Sequence, residues 1–354
     1  MRKIGCWNNQ KQTIRKLRCR TCQTSFSERK GTVWYLSRLP REKALAISRH
    51  LSEGDGIRKT GRLVGATQET VIRLNRLLGK HGKALHEEKV RGVRVREAQA
   101  DETWSFVKKK EKWCDRSSRA DDGQGSQWDH DILDAETKLL VSHIVGPRTE
   151  RMSRELWEDF VVRTDGVLPE LITTDEYAPY RGAILNAYGT RVEYPSTGLP
   201  GRPRNPRLEP PVGLVYAMVH KTRENGAVAD VSTRRVFGTQ EQVDEAVKRP
   251  TVSSHVNMTF VERFNGTARQ HNSRKARKVY SFSKEFNYHA AMSWFAVAYY
   301  NFCWPHLGLR EKEDGRWSKR TPAMASGISD HVWSLDAFMG YPLTHKSFAR
   351  KPEH

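Results

Sequence analysis

The chain has 354 residues, which is enough for two or three domains with a substantial core. Its formal net charge of +20 at pH 7 argues against an enzyme of small acidic metabolites and favours a polyanionic partner, nucleic acid first. Ten tryptophans and 37% hydrophobic residues argue against wholesale disorder, and no run of residues is long and apolar enough to suggest a membrane protein.

The N-terminus is basic but has no apolar segment of the kind that a signal peptide contains, so we predict no secretion. The five cysteines are an odd number in a chain without a predicted secretory signal, and they fit a reducing compartment.

Residues 1–35 have the pattern of a basic arm with a partial zinc ribbon. Cys19-Arg-Thr-Cys22 is a Cys-x-x-Cys knuckle, and Cys6 is the only candidate for a third ligand. A structural zinc site requires four closed ligands. We therefore expect either a degenerate site or a ribbon whose first half precedes Met1, with weak zinc binding or none; an empty basic arm is the alternative.

Residues 36–90 have the pattern of a helix-turn-helix. One helix is predicted over 41–51, and a second follows Thr67, a residue type that caps helices, with apolar residues at helical spacing. A second helix of this kind can enter the major groove of DNA. Four basic residues outside the apolar positions are predicted to contact DNA, namely Arg58, Lys59, Arg73 and Arg76. An ordinary helical hairpin is the alternative.

A charged linker at residues 89–98 precedes a predicted mixed α/β sheet that occupies residues 98–310. Three antiparallel strands come first, at 98–107, 128–133 and 139–145. Helices and strands then alternate, at 149–162, 171–175, 177–188 and 190–194. A basic proline-rich loop and a predicted hairpin form an insertion at about 195–240, a covering helix follows at 286–302, and residues 311–354 are a loop-rich tail.

Three acidic residues lie at the ends of predicted elements, and they are Asp101, Asp175 and Glu262. Three carboxylates that meet could hold two divalent cations, with magnesium preferred because the ligands are hard oxygens. Two such ions would activate an attacking oxygen and stabilise a leaving oxygen in phosphodiester chemistry. Asp134 and Asp165 are rivals for the first two positions.

Glu262 is the only acid in the basic stretch 256–278. An ion pair on a solvated helix is the alternative to a metal ligand for this residue. Four basic residues that follow it are predicted to hold DNA phosphates, namely Arg263, Arg269, Arg274 and Lys275.

Three motifs surround these acids in order along the chain. They are Asp101-Glu-Thr-Trp-Ser-Phe-Val, Ile172-Thr-Thr-Asp175-Glu-Tyr-Ala-Pro-Tyr180, and Phe260-Val-Glu262-Arg-Phe-Asn265 with Arg269-Gln-His-Asn and Ser281-Phe-Ser-Lys284. Together they resemble an insertion-sequence transposase of the DDE class, and in particular the family of insertion sequence one. The tail segments 300–306 and 321–333, and the Cys-x-x-Cys knuckle before a helix-turn-helix, are similar to that family as well.

The resemblance implies an RNase H-like catalytic domain in which Asp101, Asp175 and Glu262 are the metal-binding triad, with Mg²⁺ or Mn²⁺ as cofactor. It implies a transposase that binds the terminal repeats of its element, cleaves the ends and joins the 3′ ends to target DNA. It also implies a homo-oligomer on double-stranded DNA, in a bacterial-type cytoplasm at the nucleoid. The incomplete zinc ribbon and the insertion depart from the family pattern.

Two other functions stay open. One is a non-integrating nuclease on the same RNase H-like fold, and the other is a catalytically inactive transposase remnant that binds DNA.

Overall fold

The computed structural model describes residues 2–9, 12–194, 205–248, 254–276 and 278–343. The chain divides into two compact units. Unit 1 comprises Met1–Lys89, Ala268–Met324 and Ser329–His354, and unit 2 comprises Val90–Thr267 and Ala325–Ile328. Within the described ranges, every helix is too short or too polar to cross a lipid bilayer.

Both units contain helices. In chain order they are α1 (Val33–Leu36), α2 (Arg41–Ser52), α3 (Ile57–Val64), α4 (Gln68–Lys89), α5 (Glu150–Arg163), α6 (Pro179–Tyr188), α7 (Gln240–Lys248), α8 (Thr259–His271), α9 (Phe286–Ala298), α10 (Pro322–Ala325) and α11 (Leu335–Gly340). Single 3₁₀ turns lie at Glu111–Trp113, Arg119–Asp121 and Leu307–Leu309, and a π turn at Tyr299–Cys303.

In the part of the chain that the structure describes, the strands belong to four separate sheets. In chain order they are β1 (Arg2–Asn9), β2 (Gln12–Arg18), β3 (Ser25–Ser27), β4 (Glu97–Val107), β5 (Gly125–Asp134), β6 (Leu140–Gly146), β7 (Leu171–Thr174), β8 (Thr190–Val192), β9 (Arg207–Glu209), β10 (Tyr216–Glu224), β11 (Ala227–Phe237), β12 (Glu311–Glu313) and β13 (Arg316–Ser318).

Unit 2 contains a six-stranded mixed sheet in the order β11-β10-β7-β4-β5-β6. Strands β4, β5 and β6 are antiparallel neighbours, whereas β7 is parallel to both β4 and β10. The predicted mixed α/β sheet is therefore confirmed. Side chains of α5 and α6 with no exposed surface, including Trp157, Phe160 and Tyr180, belong to its apolar core.

Two predicted strands pair differently from the expectation. The strand predicted over 190–194 does not join the large sheet, because β8 pairs only with β9. The hairpin interpreted as part of an insertion supplies two of the six strands of the large sheet instead, since β10 pairs with β7. Much of the proline-rich loop between them lies outside the described residues.

Unit 1 groups the N-terminal helices with α9, which was predicted to cover the catalytic domain. Residues 268–310 therefore belong largely to unit 1 rather than to the predicted domain 98–310. Helix α9 is apolar on most of its faces and largely buried. The backbones of α4 and α9 approach each other closely at Gly79 of α4. A Cβ atom at this position would clash with the carbonyl oxygen of Ala291, from which it would lie only 2.1 Å away.

The region of the predicted helix-turn-helix contains three helices, α2, α3 and α4. Helix α4 begins where the sequence predicts, and the Thr67 hydroxyl accepts a hydrogen bond from the backbone N–H of Thr70 at 3.3 Å. A buried apolar face that includes Val71, Leu74 and Leu78 follows. The two predicted helices are thus confirmed as α2 and α4, and α3 lies between them in the chain. Their arrangement as a helix-turn-helix and their role in binding DNA stay predictions.

Candidate metal centre

The acids Asp101 and Asp175 come from neighbouring strands of the unit 2 sheet. Strands β4 and β7 are parallel, and Ala100 of β4 lies opposite Thr174 of β7. Asp101 and Asp175 directly follow these two residues, so the two acids lie side by side. Asp175 directly follows the last residue of β7, and its carboxylate accepts a hydrogen bond from the backbone N–H of Tyr177. Asp175 thus lies at the carboxyl end of β7, whereas Asp101, predicted at the end of an element, lies within β4.

Glu262 comes from the first turn of α8, and a buried side chain of β4 fixes that turn. The Gln99 amide oxygen accepts hydrogen bonds from the backbone N–H groups of Phe260 and Val261, at 3.2 and 3.1 Å. Its amide nitrogen donates to the Asn257 carbonyl at 2.8 Å. The first N–H groups of a helix have no partner within the helix. Gln99 supplies that partner and ties α8 to the strand that carries Asp101.

One open cleft of about 460 Å³ is lined by all three predicted acids. The other lining side chains include Arg148, Tyr177 and Lys221. The side chain of Asn265, one turn after Glu262 on α8, donates a hydrogen bond of 2.7 Å to Asp101. Residues far apart in the sequence thus converge on one face of unit 2.

The closest group of carboxylates contains an acid that the sequence interpretation did not select. Oxygen atoms of Asp101, Glu102 and Asp175 all lie within 4.8 Å of one another. Consecutive residues of a strand point to opposite faces, so strand alternation alone predicts that the side chains of Asp101 and Glu102 diverge. The only signal for it in the sequence is that a second acid adjoins Asp101 in a strand that is otherwise largely uncharged.

The carboxyl groups of this cluster are hard to ionise without a cation. Burial raises the pKa of Asp101 to about 7, and the charges of Asp175 and Glu262 add to the effect. Burial also raises the pKa of Glu102 to about 7, although Arg148 opposes that shift. The pKa of Asp175 is raised by burial as well.

Arg148 lies between two of these acids. Its guanidinium donates to Glu102 at 3.1 Å and lies 3.5 Å from the carboxylate of Asp175. It stacks against the rings of Tyr177 and Trp128, at 3.9 and 4.9 Å from the ring centres. These contacts hold the guanidinium, and with it the two carboxylates, in one arrangement.

Glu262 has a different partner from the other acids. The Lys221 ammonium, on β10, donates a hydrogen bond to one oxygen of Glu262. The carboxylate is also exposed, with 46% of its side-chain surface accessible. Glu262 therefore lies at the open side of the cleft, within the range at which its charge affects Asp101.

The donor set fits a hard divalent cation better than a soft one. It consists of carboxylate oxygens, without a cysteine or histidine among the three clustered residues. A cation there would offset the burial and the carboxylate repulsion that together raise the pKa of Asp101. Asp101, Glu102 and Asp175 are the clustered residues that could hold it. Glu262 lines the same cleft.

The rival acids do not line the cleft. The Asp134 carboxylate accepts hydrogen bonds from the backbone of Glu136 and Thr137 and from the Thr137 hydroxyl, so it stabilises the turn between β5 and β6. Asp165 is exposed and has a positive φ of 52° in the turn after α5. Neither residue is among the side chains that line the cleft.

The basic residues predicted to bind DNA differ in exposure. Arg58, Lys59 and Arg73 are exposed, Arg76 is half-buried, and Lys59 pairs with Asp55 at 2.6 Å.

The basic residues after Glu262 also differ in exposure. Arg263 is exposed, and Arg269 is half-buried. Lys275 is only 5% exposed, and burial lowers the pKa of the Arg274 guanidinium to about 10. Both follow α8 in unit 1, where Arg274 is half-buried and Lys275 is buried, and their contacts with DNA phosphates stay a prediction.

The candidate zinc ligands lie in the small sheet β1-β2-β3. Cys19 and Cys22 lie in the turn between β2 and β3, and Cys6 lies on β1 opposite Arg15. Hydrogen bonds from Thr24, with a further one from Cys19, lower the pKa of Cys22 to about 7. The side chain of Cys6 lies outside the described atoms, so weak zinc binding stays a prediction.

No family model and no curated protein matches this chain.

Proposed function

We propose that the chain is a DNA transposase of the DDE class that cleaves the ends of its element and joins their 3′ ends to target DNA. The observation that carries the proposal is the convergence of Asp101, Asp175 and Glu262 on one open cleft. These are the acids that the family resemblance selects, and they come from two strands and a helix that are distant in the sequence.

Two further observations support the proposal. The large sheet has three antiparallel strands, β4 to β6, followed by β7 and β10, which are parallel to β4 and are reached through helices. These five strands have the arrangement expected of an RNase H-like domain, and β11 adds an antiparallel edge strand. The net charge of +20 favours a polyanionic substrate over a small molecule.

The residues of the cleft have distinct parts in the proposed reaction. Asp101, Asp175 and Glu262 would hold divalent cations, which would supply charge stabilisation for the attacking and leaving oxygens of a phosphodiester. Asn265 orients the carboxylate of Asp101, and Arg148 orients that of Asp175. The exposed Arg263 follows Glu262 and is available for a DNA phosphate.

The proposal is tested with a labelled duplex that carries the DNA flanking the gene, in Mg²⁺. The wild-type protein is expected to cut at the ends and to join pre-cut ends to a target. Asp101→Asn, Asp175→Asn and Glu262→Gln should each lose both reactions by about two orders of magnitude or more while end binding remains. Asp165→Asn is the matched control, because it makes the same chemical change outside the cleft.

The rival functions give different results in this assay. Cleavage without joining of pre-cut ends would indicate a nuclease. Binding without cleavage at saturating DNA would indicate an inactive remnant. Cutting by Glu262→Gln at nearly the wild-type rate would remove Glu262 from the centre and return it to an ordinary surface ion pair.

A further inference from the structure

We propose that Lys221 is a positioning residue of this centre: its ammonium neutralises Glu262 in the metal-free protein and has to leave that carboxylate before Glu262 can ligate a cation. The inference rests on the proposed function, because it treats Glu262 as a metal ligand.

The geometry gives Lys221 this position. Its side chain extends from β10, the strand next to β7 in the sheet, and donates to one oxygen of Glu262. Lys221 and Glu262 line the same cleft as Asp101 and Asp175. The lysine charge also reaches Asp175, where it opposes the larger effect of burial on the pKa of that carboxyl. The ammonium thus faces the space that the acids share.

The contact is of a kind that a divalent cation can replace. The side chains of Lys221 and Glu262 are 28% and 46% exposed, and ion pairs with such access to water are weak. A lysine carries a point charge on a flexible four-carbon stem, so it can move within the cleft without a change in the backbone. Arg148 differs in this respect, because two aromatic rings hold its guanidinium in place.

The exchange has a consequence for metal affinity. Each cation that binds Glu262 does so against the bound ammonium, so the lysine weakens metal binding at this carboxylate. Once displaced, the ammonium remains in a cleft that the proposed function opens to DNA, where it can contact a phosphate. Binding of a metal ion to Glu262 would thus free the Lys221 ammonium to contact a DNA phosphate.

The test is a titration of the full chain with Mn²⁺, without DNA, by calorimetry. Lys221→Met keeps the apolar stem and removes the charge, and it should bind Mn²⁺ about three- to fivefold more tightly than wild type, the gain expected from losing a weak competing pair. Lys221→Arg, which keeps a cation, should remain close to wild type. Lys248→Met is the matched control, because Lys248 is exposed at the end of α7 and does not line the cleft.

A double-mutant cycle shows whether the effect passes through Glu262. In a Glu262→Gln background, Lys221→Met should no longer change Mn²⁺ affinity. Lys221→Gln serves as a second variant, and urea unfolding checks that each protein is folded.

The possible failures are distinguishable. If wild type binds Mn²⁺ and neither Lys221→Met nor Lys221→Gln tightens it, this inference is wrong and the metal centre stands. If wild type shows no Mn²⁺ binding, the proposed function and this inference are both overturned. Absence of strand joining by a protein that shows the expected change in Mn²⁺ affinity would overturn the transposase proposal alone.

Discussion

Asp101 has the least favourable surroundings for a charged carboxylate among the acids of the cleft. Its strand is buried for most of its length, and the carboxylates of Asp175 and Glu262 raise its pKa further. Its one described hydrogen bond from a side chain comes from Asn265, a neutral donor. In the absence of a cation the protein therefore has to keep a proton on this group or accept the cost of the charge.

This arrangement predicts a pH-dependent effect of Asp101→Asn on stability. The native pKa of about 7 lies above the unfolded value of about 3.9, so between these values the native state binds more protons than the unfolded state. Wild-type stability should therefore fall as pH rises from about 4 to about 7, whereas the asparagine variant avoids this loss. Without metal, the variant should gain relative to wild type over this range, by at most about 4 kcal/mol above pH 7.

Urea unfolding in EDTA at pH 5 and pH 8 measures this difference. The advantage of Asp101→Asn should be larger at pH 8, and saturating Mg²⁺ should reduce or reverse it by stabilising only the wild type. An equal difference at both pH values would show that Asp101 does not titrate in this range.

The sequence identifies Asp101, Asp175 and Glu262 as candidates because each has a motif of its own. It does not identify Glu102, Arg148 or Lys221. Glu102 follows Asp101 in a strand, where alternation argues against a shared site. Arg148 and Lys221 are two of 61 basic residues, and only the folded sheet brings them beside the acids.

At the scale of elements, the link between β4 and α8 matters most for the cleft. The buried Gln99 side chain accepts two hydrogen bonds from the first turn of α8 and donates one to Asn257 just before the helix, and Glu262 follows within the same turn. The distance between Asp101 and Glu262 thus depends on Gln99, a neutral residue that has no part in the proposed reaction.

Gln99→Leu is predicted to destabilise the protein by about 2–4 kcal/mol, because the N–H groups of Phe260 and Val261 lose their described acceptor. Cleavage of labelled ends should fall, while binding of the same DNA is retained. Gln240→Leu is the control. Gln240 is exposed and bonds only to Asp244 in the described contacts, so its loss should change the unfolding free energy by less than about 0.5 kcal/mol. Equal unfolding curves for the two variants would contradict the role of Gln99.

The helices and strands of unit 2 follow their sequence patterns closely, since alternation and helical spacing are local properties. The pairing of β10 with β7 was missed because it joins segments about 45 residues apart, beyond what a local pattern reports. The grouping of α9 with α4 was missed for a similar reason. It depends on close backbone approach at Gly79, which is visible only once both helices are placed.

For the molecule as a whole, the dominant property is its positive charge. Binding to duplex DNA should therefore weaken steeply as salt rises, whatever the sequence of the duplex. Arg58 is exposed on α3 and close enough to Lys284 to add to the lowering of its pKa by burial. Arg73 on α4 is exposed as well, so unit 1 presents both arginines to solvent.

Replacing Arg58 and Arg73 together by alanine should weaken duplex binding and make the slope of log K against log salt shallower by roughly two, if each arginine contacts a phosphate. Arg151→Ala with Arg154→Ala removes the same net charge from α5, where both arginines already pair with glutamates. This control should leave the slope nearly unchanged. Equal slopes for the two double variants would remove Arg58 and Arg73 from the DNA interface.

The ladder between β4 and β5 runs without a bulge from Ala98 to Val107, with Asp101 opposite Asp131. Gln99 and Asp101 are two residues apart, so one face of the strand presents both the amide that caps α8 and the acid of the cleft. The two-residue spacing therefore fixes which face of the strand carries Asp101 relative to Gln99. An insertion or deletion of one codon between them would keep every functional residue in the chain and yet turn the acid to the opposite face. The number of residues between Gln99 and Asp101 is therefore constrained, whatever residue lies between them. Loss of that one residue should be tolerated less well than most substitutions of it.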